Sequence, residues 1–171
     1  MAPLVRRSWA PRGATPVLYQ RGRAHQKVSA IAALVVPPER TTVMCYFRLH
    51  RNANIDAPRV GAFLDLLARE LGATPFVLIW DRLQVHRAAL KRPVSQNRKP
   101  SRVAFLPAYA PELNPVEYLW AYLKTNPLAN FAPPDAVTLA TATRRAVRTA
   151  QHAPLLLRSF VRHSPLSLCL R

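Results

Sequence analysis

Two hydrophobic periods alternate along this chain. Residues Val28–Val36 form a β-branched, apolar run that stops at Pro37-Pro38, and Thr41–Leu49 resumes with Val43, Tyr46 and Phe47. The pattern predicts an antiparallel hairpin that turns through Pro38–Arg40. From Asp56 to Leu71 the period changes: Val60, Phe63, Leu64, Leu67 and Leu71 fall at helical spacing. Asp56 can cap this helix, Pro58 suits its first turn and Gly72 its stop. Asp65 and Glu70 ride on it, and a solvated helix face accounts for Asp65 without any chemistry.

Phe76–Trp80 is apolar without alternation, which predicts a strand buried on both faces, as in a parallel sheet. A weak helix over Arg87–Asn97, damaged by Pro93, and a strand at Val103–Leu106 complete a β-α-β unit. Its crossover should be right-handed. Sites in such sheets gather at the carboxyl ends of the strands, where Asp81 stands. Asn114–Thr125 reads as a helix capped by Asn114, with Pro115 at its first position and Glu117 where a capping-box acid stands. Leu119, Tyr122 and Leu123 are its buried face.

A Pro-rich linker follows over residues 127–134. Asp135 then caps a basic helix to about Gln151, carrying Arg144, Arg145 and Arg148, and Leu155–Phe160 is a last short helix. The tail after Pro165 reads as irregular. Residues 1–27 hold six basic residues and no acid, and Pro3, Pro11, Gly13, Pro16 and Gly22 make them a basic arm with at most a short strand at Val17–Tyr19.

Composition adds a partner. The 171 residues suit one domain with a real core, half of them apolar. The net charge is +17, and 21 of the 25 cations are Arg. Such a field attracts polyanions, nucleic acid above all, and Arg forks onto phosphate; a GC-rich genome would also inflate Arg, Ala and Pro. Cys45 and Cys169 make neither a zinc motif nor a disulfide framework. There is no secretory segment, and no apolar run is long enough to span a bilayer. A soluble, cytoplasmic protein is expected.

Two acids stand out. A carboxylate ending a buried strand, as Asp81 does, is costly unless paired, hydrated or metal-bound; capping the next turn is the plain alternative. Glu117 is explained by the capping box alone, unless the β-α-β unit brings it to the same sheet edge as Asp81. Hard carboxylates converging there would suit Mg²⁺ rather than zinc. Two such ions about 3.5–4 Å apart can activate a water or a 3′-hydroxyl and stabilise the leaving oxygen at phosphorus. His86 either contacts substrate or starts the next helix. Asn114 is an accessory candidate and Glu112 a weak one, on an exposed turn. Arg87, Lys91, Arg92, Arg98, Lys99 and Arg102 form an acid-free stripe suited to phosphate contact. Trp80 and Trp120 read as core.

The strings Trp80-Asp-Arg-Leu-Gln-Val-His86-Arg87 and Phe105-Leu-Pro-Ala-Tyr-Ala-Pro-Glu-Leu-Asn114-Pro-Val-Glu117-Tyr-Leu-Trp120 resemble the DDE transposases of bacterial insertion sequences related to mariner elements. Arg7-Ser-Trp9-Ala-Pro-Arg-Gly13 and Leu156-Leu-Arg-Ser-Phe160 resemble them too. The resemblance implies an RNase H-like α/β fold and an Asp-Asp-Glu triad that binds two Mg²⁺ and cuts and rejoins DNA at transposon ends. Asp81 matches the second acid and Glu117 the third. The family's first Asp lies on the opening strand, just before the Arg-Ser-Trp segment, whereas here no acid precedes Glu39. The resemblance therefore implies a domain without its first strand, impaired as an isolated chain, whose first Asp could come from an upstream segment. DNA is the implied partner, and a homodimer is among the assemblies the resemblance allows. A non-catalytic DNA-binding remnant is the main alternative, and an RNA-processing nuclease on the same fold a weaker one.

Overall fold

The hairpin forms where the alternation predicts it. A computed structural model describes residues 6–7, 9–17, 27–72, 74–91, 100–166 and 168–171. In it β1 (Val28–Val35) pairs antiparallel with β2 (Met44–Arg51), Val28 opposite Arg51 and Val35 opposite Met44. The second strand starts at Met44 rather than Thr41 because the loop backbone is used elsewhere. Arg40 takes a left-handed φ of 56° with its N–H on the Pro37 carbonyl, the Arg158 guanidinium donates to the Thr41 carbonyl, and the Arg171 N–H donates to the Arg40 carbonyl. The C-terminal tail, irregular as expected, is thereby tied to the hairpin.

Strand periodicity sends the two faces of β1 into different layers. Ala32 and Leu34 join Cys45 and Phe47 in the main core, while Ile31 packs on the opposite side. Burial pushes the Cys45 thiol up to about 12. It is therefore a protonated core side chain, without nucleophilic character at neutral pH.

The main core lies between the hairpin and three helices: α3 (Pro115–Thr125), α4 (Ala136–Gln151) and α5 (Pro154–His163). Leu119 and Leu123 are fully buried and Tyr122 partly so, the face expected of α3. The Asp135 carboxylate caps α4 by accepting from the Thr138 N–H at 2.7 Å. The connection over residues 127–134 carries no helix or strand, yet Leu128 is buried in the main core and Phe131 packs against it. Leu119→Ala should lower unfolding stability by about 2–5 kcal/mol, the cost of a buried leucine cavity. Urea denaturation checks this, and a loss below about 1 kcal/mol would mean that the α3–hairpin interface is not the core.

Helix α1 (Ala57–Glu70) meets the hairpin on its other side through Ile31 and packs mainly on the helix Gln84–Leu90. Asp56 caps it, accepting from the Arg59 N–H at 3.0 Å, and Gly72 adopts φ 61° just after its end. Val60, Phe63, Leu64 and Leu67 are buried, as the spacing predicts, and Leu71 is partly buried. Beside α1 lies a parallel pair, β3 (Val77–Trp80) and β4 (Arg102–Phe105), joined by α2 (Gln84–Leu90). Val60, Leu64, Trp80 and Ala89 form one cluster, with Ile31, Leu78 and Val103 packed against it.

Two expectations change here. Strand β3 is not buried on both faces: Val77 is 55% and Ile79 39% exposed, whereas Leu78 and Trp80 face α1. Helices α4 and α5 cover the hairpin and leave the back of the parallel pair open. Helix α2 starts at Gln84, so His86 lies inside it rather than ahead of it. The Asp81 carboxylate accepts the Leu83 N–H at 3.1 Å and turns the chain into the helix early. The described strands form two separate two-stranded sheets, β1–β2 and β3–β4. Of the basic arm, residues 9–17 hold a turn at Pro11–Ala14 and no helix or strand, with Trp9 fully exposed. Residues 18–26, with most of the short strand expected near Tyr19, lie outside the described residues.

Candidate active site and nucleic-acid surface

Strand β3 ends at Trp80, whose carbonyl accepts the Leu106 N–H at 2.8 Å, so β3 and β4 stop together. The Arg82 Nε–H donates to the Leu106 carbonyl at 3.0 Å and secures that corner, a role the sequence did not signal. Asp81 comes next. Its Oδ1 takes the Leu83 N–H and lies 2.6 Å from His86 Nδ1, and its side chain remains 38% exposed. The two atoms are close but not aligned as a hydrogen bond, and His86 Nδ1 is buried without a hydrogen-bond partner among the described residues. Stacking holds the imidazole: its ring lies 4.4 Å from the Trp80 ring at an interplanar angle of 4°. Trp80 is thus a core residue, as expected, and also the platform beneath His86. The α2 register put His86 on that platform, one turn from Asp81.

Glu117 sits in the first turn of α3. Asn114 caps this helix through its side-chain oxygen, which accepts the Val116 N–H at 3.1 Å. The capping box is only half made. A 3₁₀ turn over Pro111–Leu113 gives the Asn114 N–H a partner in the Pro111 carbonyl at 3.0 Å. The bond Glu117 would otherwise supply is already satisfied, and its exposed carboxylate has no hydrogen bond or ion pair among the described residues. The turn is anchored to α5: the Ser164 hydroxyl donates to the Leu113 carbonyl at 2.9 Å, and the Tyr118 hydroxyl bridges the Glu112 and His163 carbonyls. Glu112 is exposed on this turn, as expected.

The structure therefore brings His86 to Asp81 but does not build a closed acid cluster. Among the described residues no three His, Cys, Asp or Glu side chains gather where they could hold a metal ion. Helix α3 packs mainly on β1, α4 and α5. Strand β3 belongs to the layer of α1 and α2.

Of the basic stripe, Arg87, Lys91 and Arg102 are exposed and form no ion pair among the described residues. The Arg87 guanidinium lies 5.8 Å over the Phe105 ring. This orients its charge beside the end of β4 while leaving its donors free. Arg92, Arg98 and Lys99 lie outside the described residues. No helix among the described residues is long and apolar enough to cross a membrane.

An antiparallel hairpin, a parallel pair joined by a helix, and flanking helices make this an RNase H-like α/β domain. The chain belongs to the DDE superfamily endonuclease family, whose model matches residues 2–139. Comparison with curated proteins and with solved structures finds no match. The matched span contains Asp81, His86, Asn114, Glu117 and the whole basic stripe; most of α4 and all of α5 follow it.

Proposed function

We propose that this chain is the catalytic portion of a bacterial transposase that cuts and rejoins DNA strands by divalent-metal phosphoryl transfer, with Asp81 and Glu117 as two of its three carboxylates. The observation that carries this reading is the state of those acids within a matched DDE endonuclease span. Glu117 is relieved of its capping role, and the second oxygen of Asp81 has neither a hydrogen bond nor an ion pair among the described residues. Their hard oxygen donors suit Mg²⁺, which takes one or two carboxylates together with substrate phosphates and water. When bound, such a metal would lower the pKa of an attacking water or hydroxyl and offset charge on the leaving oxygen. The chain's own residues supply the rest. His86, stacked on Trp80, orients the Asp81 carboxylate, and Arg87, Lys91 and Arg102 hold the DNA backbone beside it.

The third acid is not assigned to a residue of this sequence. Ile31 of β1 and Leu78 of β3 pack on the same α1 cluster, yet each strand pairs on one side only among the described residues. An added strand between them would join the two sheets. The test is Mg²⁺-dependent cleavage of a transposon-end duplex by this chain, alone and with the segment encoded just upstream. Cleavage that needs the added segment supports the reading. No cleavage under either condition, with duplex binding retained, supports the second reading, a DNA-binding remnant. That reading is favoured by the lack of a three-ligand cluster among the described residues.

A further inference from the structure

An open cleft of about 580 Å³ lies where the hairpin, α1 and α4 meet, lined by residues that include His50, Arg51, Asn52 and Arg59. Its cations come from two elements: Arg51 ends β2, and Arg59 sits in the first turn of α1. Arg59 is paired with Asp56, whereas Arg51 is exposed and has no ion pair among the described residues. His50 Nε2 is buried and has no hydrogen-bond partner. An unpaired cation, a second cation held in place by its carboxylate, and an unsatisfied imidazole nitrogen make a site for an anionic oxygen.

The cleft opens at a meaningful end of the domain. Arg59 precedes Val60, and Val60 and Leu64 pack against Trp80, the residue before Asp81. Helix α1, which carries Arg59 in its first turn, thus shares one hydrophobic cluster with the strand that leads to Asp81.

We propose that this cleft is a phosphate subsite for the DNA backbone, in which Arg51 and Arg59 receive the phosphodiester charge and His50 donates a hydrogen bond to it. The proposal rests on the reading that DNA is the substrate. The groups facing His50 are Arg48 on its own strand and Arg59 and Asp56 at the start of α1. Arg51 adjoins it, and Asp135 at the start of α4 is engaged in capping. Burial first, then Arg59 and Arg48, hold the His50 imidazole below its ordinary value, so it is neutral at pH 7 in the free protein. A bound phosphate opposes the Arg field and raises that value, so binding takes up a proton. Affinity should then rise as pH falls from neutrality towards the lowered His50 value, by up to about tenfold per unit for one fully linked proton.

The experiment is fluorescence anisotropy of a labelled duplex titrated with the full chain in EDTA, which separates binding from cleavage. Arg51→Gln should reduce the salt slope of binding by about one phosphate contact, while Arg145→Gln, an equal charge change on the exposed face of α4, leaves it unchanged. His50→Gln should remove the pH dependence. Circular dichroism of each variant confirms the fold. Equal effects of the Arg51 and Arg145 changes, or a pH slope that survives in His50→Gln, overturn the subsite. Absence of duplex binding by the wild-type chain overturns the DNA reading beneath it, a different result.

Discussion

Asp81→Asn is expected to reduce Mg²⁺-dependent strand cleavage by at least two orders of magnitude, with Glu117→Gln doing as much. Losing a single electrostatic contact to the transition state costs about 10²–10³ in rate. The asparagine keeps the shape of the side chain and the oxygen that accepts the Leu83 N–H, so the turn into α2 survives and only the charge is lost. Glutamine at 117 is milder still for the fold, because the Glu117 carboxylate serves no cap. Both variants should therefore unfold at the wild-type denaturant midpoint. The assay is run with the segment that contributes the third acid, and the isolated wild-type chain should itself cut at least about a hundredfold more slowly than that mixture. Full activity of Asp81→Asn would remove this residue from the mechanism. Efficient cutting by the isolated chain would sink the idea that an acid is supplied from elsewhere.

The second large effect is on DNA affinity. Six cations in the stripe, if each meets a phosphate, give log affinity against log salt a slope of about −5, from −0.9 per neutralised phosphate. Between about 50 and 200 mM salt that is a loss of about three decades. Exposed Arg87, Lys91 and Arg102, free of ion pairs among the described residues, can transfer their charge to DNA at little cost. Replacing all three by Gln should flatten the slope by about three and weaken binding at low salt by orders of magnitude, without shifting the melting temperature. Anisotropy titrations at four salt concentrations measure it. A slope near zero in the wild-type chain would mean that its +17 charge serves something other than nucleic acid.

Local physics made much of the fold readable. Hydrophobic period assigned the hairpin, α1 and α3, and short-range cap chemistry at Asp56, Asn114 and Asp135 set their starts to within a residue. The start of α2 was not legible because it depends on one Asp side chain bonding two residues on. The half-made capping box was invisible for a similar reason. Whether Glu117 must serve Asn114 depends on a 3₁₀ turn that Ser164 and Tyr118 hold from fifty-one and six residues away. The cleft at His50 had no signal at all, since its cations belong to different elements and carry no shared spacing.

By itself, then, the sequence determined which segments would be strands and helices, the cationic character of the surface, and the two acids worth watching. Those properties follow from neighbouring residues and from composition. Only the tertiary structure decided that the back of β3 stays exposed, that the sheet divides into two pairs, that Trp80 carries His86 to Asp81, and that the Glu117 carboxylate is left without a partner among the described residues. Each of these depends on which helix covers which face, a choice made by packing between residues far apart in the chain.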